Sequence, residues 1–66
     1  MRFCEGDIVK LIYIDRAGRL TERFVRVLSI SNDLLVAYCY YRKAPRSFAR
    51  SNILAAEVRH HGRTAV

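Results

Sequence analysis

Long apolar runs are missing from this chain of 66 residues. The longest, 34–41, falls far below the ~18 residues that a membrane-spanning helix needs, and no secretory leader precedes it. No membrane association is expected, and the setting reads as cytoplasmic. Cysteine is scarce: Cys4 and Cys39 stand without the paired spacing of a disulfide framework or a zinc site, which fits a reduced compartment. Cys39 lies in an apolar stretch and reads as a small buried hydrophobe. His60 and His61 are adjacent, so an extended strand turns them to different sides, and no cysteine or carboxylate stands at a ligand spacing from them. No metal site is expected. The P-loop, GxGxxG and GxSxG fingerprints are also missing, and the 6 acidic residues are scattered without an evident acid–base pair. The chain therefore reads as non-enzymatic, with no catalytic residue and no cofactor.

Length allows one small domain and no second one, because unaided folding needs about 55–65 residues. An apolar content of 52% is enough for a core, and the lack of low-complexity sequence argues against disorder. The expected domain spans 1–66, with an ordered core over about 6–59 and a fraying tail at 60–66, where apolar periodicity ends.

Charge is the strongest compositional signal. Lys and Arg total 12 against 6 Asp and Glu, a formal net charge of +6, and such a field attracts polyanions. Its distribution is uneven: Arg42, Lys43, Arg46 and Arg50 follow one another with no acid between them, whereas Glu5, Asp7, Asp15 and Glu22 interleave with the bases of the first half. Only Lys10 and Lys43 are lysines. Arginine presents a planar donor fork suited to phosphates and carboxylates.

The hydrophobic pattern has the period of strands. Residues 7–14 place Val9, Leu11 and Tyr13 on one face and Ile8, Ile12 and Ile14 on the other. Asp15, Gly18 and their neighbours supply a turn. Residues 20–30 alternate, with Arg23, Val25 and Val27 opposed to Phe24, Arg26 and Leu28, and their β-branched content favours strand over helix. After a turn at 31–33, a third strand is expected over 34–42, closed by Lys43-Ala44-Pro45 because proline cannot donate to a central ladder. A short fourth strand over 46–50, a tight turn at 51–52 and a fifth strand over 53–58 complete an all-β chain. Short strands joined by brief turns predict a small five-stranded SH3-like or Sm-like barrel.

A three-residue loop at Lys43-Ala44-Pro45 sets Arg42 opposite Arg46, Tyr40 opposite Phe48 and Tyr38 opposite Arg50. One face then gathers three rings among three arginines. Like charges directly across a ladder destabilise it by up to about 1 kcal/mol unless an anion sits between them. Stacked rings and phosphate-binding arginines are the means by which single-stranded nucleic acids are held. Phe48 also fits a core position, and the arginine stems could lie over packed rings. Tyr41 shares the face of Leu35, Ala37 and Cys39 and is expected inside. Of Arg23 and Arg26, alternation lets one join the patch.

These residues resemble the WYL domain of bacterial regulators. The likeness runs from Val9-Lys10-Leu11-Ile12-Tyr13, with Asp15, Gly18 and Arg23, through Leu35-Val36-Ala37-Tyr38-Cys39 to Arg42, Arg46, Phe48 and Ile53. Asp33-Leu34-Leu35 stands where the family has its naming tripeptide, Asn52 where an arginine is usual, and Arg50 where an apolar residue is usual. The resemblance implies an Sm-like or SH3-like barrel that senses ligands, often nucleic acid or nucleotides, within transcription factors, helicases and CRISPR-associated regulators. The helix-turn-helix that commonly precedes such a barrel has no room here, so the chain is expected to be an excised or free-standing module acting through partners.

Two functions follow as expectations. The first is a regulatory binding module that holds single-stranded nucleic acid or a nucleotide-like anion, with Arg42, Arg46 and Arg50 on phosphates, Tyr38, Tyr40 and Phe48 as stacking surfaces, and Arg23 widening the patch. The second is a protein-interaction or oligomerisation barrel, since aromatics and arginine also dominate protein interfaces.

Overall fold

Alternation along an extended backbone decides which face of each segment is dry. In β1 (Ile8–Ile14) Val9 and Leu11 are fully buried with Tyr13 packed against the same cluster, while Ile8, Ile12 and Ile14 remain half-buried on the other face. β2 (Leu20–Ile30) turns Val25 and Val27 inward and leaves Phe24, Arg26 and Leu28 exposed. β3 (Leu34–Cys39) contributes Leu35, Ala37 and Cys39 to the core, β4 (Ala44–Ala49) contributes Phe48, and β5 (Ile53–His60) contributes Ile53. The computed structural model describes residues 3–62.

The strands form one antiparallel sheet of five, ordered β4-β3-β2-β1-β5. The all-β expectation holds in element number and order. β4 and β5 are the two edges, joined by a 3₁₀ turn at Arg50–Asn52 in place of the expected tight turn. They form no ladder with each other, so the sheet is open where a closed barrel was expected. It is nevertheless strongly curled. The Tyr13 ring of β1 and the Phe48 ring of β4 meet edge to face, with centroids 5.0 Å apart, although β2 and β3 lie between those strands. Three strand spacings in a flat sheet would separate β1 from β4 by about 14 Å, with side chains standing parallel. Irregularities between Val27 and Ser29, and at two points of the β1–β5 ladder, add the local twist that such bending needs.

The β3–β4 hairpin differs from expectation in both limits and register. β3 ends at Cys39 and β4 begins at Ala44, so the turn is 40–43. The Lys43 N–H donates to the Cys39 carbonyl at 2.7 Å, and Lys43 takes a φ of 56°. Pro45 stands within β4, opposite Tyr38. An edge strand tolerates proline where its nitrogen faces away from the ladder. Arg46 is therefore opposite Ala37, Phe48 opposite Leu35 and Ala49 opposite Leu34. The expected pairs Arg42 with Arg46, Tyr40 with Phe48 and Tyr38 with Arg50 are not formed. Because the displacement is an odd number of residues, Tyr38 and Arg46 lie on opposite faces.

Residues 60–62, part of the tail expected to fray, are tied to the other end of the chain. Asp7 is buried, and its carboxylate accepts the Cys4 N–H at 2.9 Å and the Gly62 N–H at 3.1 Å, with His61 Nδ1 at 3.7 Å. Any side chain at Gly62 would run into the Gly6 carbonyl. The rest of the expected tail, 63–66, lies outside the described residues. The Cys4 N–H, followed by that of Gly62, holds the Asp7 carboxyl below the ordinary aspartate value; burial opposes them and the charge on His61 assists. A carboxyl depressed in the folded state stabilises the fold at neutral pH, and that stability is lost as pH falls through the folded pKa. Asp7→Asn is expected to lower the melting temperature at neutral pH, and its deficit against wild type to shrink as the pH drops below the ordinary aspartate value of about 3.9. Circular-dichroism melts over a pH series measure this, and a deficit independent of pH would contradict it.

Candidate functional site

The curl of the sheet carries β4 over the β1–β2 turn. There a groove of about 460 Å³ opens, lined by Tyr13, Asp15, Arg16, Ala17, Arg46 and Ser47. The turn is built around Asp15, whose Oδ1 accepts the N–H groups of Ala17 and Arg19, both at 2.9 Å, while Gly18 takes a φ of 80°. Asp15 Oδ2 lies 3.9 Å from Arg19 Nε. This carboxylate is thus committed to its own loop and to Arg19. Arg46 is half-buried, with its guanidinium carbon 5.3 Å from the centroid of the Phe48 ring.

Two further guanidinium–ring couples flank the β3–β4 turn. Arg23 on the inward face of β2 lies 5.2 Å from the centroid of Tyr41. On the outward face, Arg26 Nε donates to the Tyr40 hydroxyl at 3.2 Å, and Tyr40 meets Tyr38 edge to face with centroids 5.4 Å apart. Alternation along β2 sends Arg23 and Arg26 to opposite sides, as expected.

The seven residues singled out in the sequence are therefore not one cluster. Of these only Arg46 lines the groove; Phe48 is fully buried against the Arg46 guanidinium and the Tyr13 ring, which leaves no open ring face for a base. Tyr38 and Tyr40 lie on the outward face with Arg26. Arg50 is not opposite Tyr38: its backbone N–H donates to the Asp33 carbonyl at 2.9 Å and its Nη1 to the Ser31 carbonyl at 2.7 Å, which pins the 3₁₀ turn to the β2–β3 turn. Arg42 is exposed in the 40–43 turn. Arg23 does not line the groove but lies against Tyr41, which is exposed and not inside as expected. Arg16 was missed altogether. Its approach to β4 depends on sheet curl, which local sequence does not reveal.

Glu22 and Glu57 are paired away from the groove. Lys10 stands 3.7 Å from both Glu22 and Glu57, and Glu57 also pairs with Arg59 at 3.1 Å. The Arg59 hydrogen bond, then the charge of Lys10, lowers the Glu57 carboxyl from its ordinary value. Among the described residues no carboxylate comes within ion-pair distance of Arg16, Arg23, Arg42 or Arg46. Arg26 and Arg50 likewise make no ion pair, so the unpaired positive charge is shared between the groove, the 40–43 turn, the outward face of β2 and the 3₁₀ turn. Among the same residues no three histidine, cysteine or acidic side chains are grouped to hold a metal ion, and no helix is long and apolar enough to cross a membrane.

No family model, curated protein or solved structure matches this chain. The groove must be interpreted on its own chemistry. The contrast between Phe48 and Arg46 is a direct check on the division between core and site. Phe48→Ala should cost about 3–5 kcal/mol, enough to unfold most of a domain this small, whereas Arg46→Ala should leave a cooperative transition of similar midpoint. Urea titration followed by circular dichroism reads both; equal losses would mean that Arg46 is structural.

Proposed function

We propose that this chain is a non-enzymatic binding module, an SH3-like or Sm-like curled sheet of the WYL kind, that takes single-stranded nucleic acid or a nucleotide-like anion in the groove between β4 and the β1–β2 turn. The observation that carries the reading is Arg46: a half-buried residue whose guanidinium lies over a buried ring and has no carboxylate partner among the described residues. A guanidinium without a protein counter-charge is free to pair with an anion, and a phosphate offers two oxygens to its donor fork. Arg16 adds a second cation and Tyr13 an aromatic wall. The groove volume lies within the range of roughly 300–1,000 Å³ typical of small-ligand sites. The likeness of Tyr13, Asp15, Gly18 and Arg46-x-Phe48 to WYL domains supports the same reading, because Tyr13, Asp15 and Arg46 line the groove. The strand order and the 3₁₀ turn between β4 and β5 support the fold assignment. A regulatory role in the cytoplasm, exercised through partners, belongs to this proposal.

Fluorescence anisotropy of a labelled single strand over a salt series tests it. Each phosphate neutralised should add about 0.7 to the slope of log affinity against log salt. Arg46→Ala should weaken binding by about tenfold or more, the effect of one lost charged hydrogen bond, whereas Arg50→Ala, already bound to Ser31, should change it little. Salt-insensitive binding, or an Arg46→Ala protein that binds like wild type, would sink the proposal.

A second reading, a protein-interaction or oligomerisation module, is favoured by the free edge of β5 and by exposed Phe24, Leu28 and Leu34. Light scattering over a range of concentrations checks its self-assembling form, which requires a mass that rises with concentration.

A further inference from the structure

We infer that Tyr41, braced by Arg23, is a stacking platform for an unpaired base, which makes the preferred ligand a single strand of several nucleotides in place of a mononucleotide. The inference rests on the groove reading above and extends it to surface which that reading leaves unused.

Tyr41 is 79% exposed. Had β3 continued, the ring would have turned inward after Cys39; the turn at 40–43 lifts it out. The Tyr40 N–H still donates to the Phe24 carbonyl at 3.2 Å, so the β2–β3 pairing extends one step beyond Cys39 and brings Tyr41 level with Arg23. The Arg23 guanidinium lies 5.2 Å from the ring centroid, and its Nη1 donates to the Glu22 carbonyl at 3.0 Å. One face of the ring is therefore held by a cation that is itself tethered to the backbone. No aromatic ring among the described residues stacks on the other face. A ring braced on one face gives up less freedom than an unsupported one when a base settles on it.

Tyr13, which lines the groove, shares the inward face with Arg23 of the platform. Leu11 pairs with Arg23 and Tyr13 with Thr21, which sets Arg23 diagonal to Tyr13 on the inward face, about 7–8 Å away. From Arg46 the rim passes to Tyr13, then Arg23, then Tyr41, with Arg42 and Lys43 beside Tyr41 in the turn. Cations and rings alternate along this path as phosphates and bases do along a strand. A mononucleotide seated at Arg46 would leave Tyr41 uncovered.

The test uses the full chain with a labelled oligothymidylate dodecamer and a labelled thymidine dinucleotide, read by anisotropy. Tyr41→Ala should weaken the dodecamer by about 5- to 160-fold, the range of a lost base–ring stack, and leave the dinucleotide unchanged. Tyr41→Phe should bind as wild type does, because the ring and not the hydroxyl stacks. Arg46→Ala should weaken both ligands. If Arg46→Ala weakens binding while Tyr41→Ala leaves the dodecamer unchanged, or reduces both ligands equally, the platform is overturned and the groove stands. If wild type binds neither ligand, the groove reading and the platform fall together.

Discussion

The contact between Phe48 and Tyr13 is the constraint on which the rest of the molecule depends. Phe48 stands on an edge strand, where one face would ordinarily meet water, yet it is fully buried. Burying a phenylalanine there requires the sheet to bend until β4 lies over β1, and burial of a side chain of this size contributes about 1.5–3 kcal/mol. The same bend brings the β1–β2 turn against β4 and opens the groove. Arg46, two residues before Phe48, shares its face and is delivered to the groove by the register that buries the ring. Core and candidate site are thus two consequences of one hairpin pairing.

Charge is sorted by the same architecture. Asp7 closes the two ends of the chain, Asp15 shapes the turn beside the groove, and Glu22 and Glu57 flank Lys10 on the outward face. Each of these acids has a protein partner, so a formal net charge of +6 is not spread evenly. Among the described residues Arg16, Arg23, Arg26, Arg42, Arg46 and Arg50 make no ion pair, and Arg16 and Arg46 of these line the groove. An anion arriving there meets a field already oriented toward it, which favours rapid encounter as well as affinity.

Much of the fold was legible because the pattern in β1 and β2 has period two: alternation separated Val9 and Leu11 from Ile8 and Ile12, and Val25 and Val27 from Phe24 and Leu28, without telling which face is inward, and Cys39 was assigned to the core from its apolar setting. The hairpin register was not legible. Proline looked like a turn residue, and nothing local signals that its strand is an edge where a missing N–H does no harm. Shifting the turn by a few residues reversed the faces of Tyr38 and Arg46 and exposed Tyr41. Contacts made across the chain escaped for a different reason. The Asp7 clasp joins residues at opposite termini, Arg50 reaches back to Ser31, and Arg16 approaches β4 only through curl. The interleaving of arginine and aromatic residues was a sound signal of composition, but the chain distributes it into couples on two faces of one sheet.

Domain size gives those couples their meaning. A chain near 60 residues buries only about 60% of the surface that it exposes when unfolded, so a large ring is most useful to stability inside. Phe48 serves in that way, and Tyr13 partly so. Tyr41 does neither: it is displayed on a turn, with a guanidinium that makes no ion pair among the described residues holding its inner face. Such an arrangement adds little to the core, and it matches what a stacking ligand with negative charge requires. A ligand bridging the rim to Arg46 would also supply the counter-charge that the protein withholds there, and by binding only the folded state it would stabilise the curl that creates its own site.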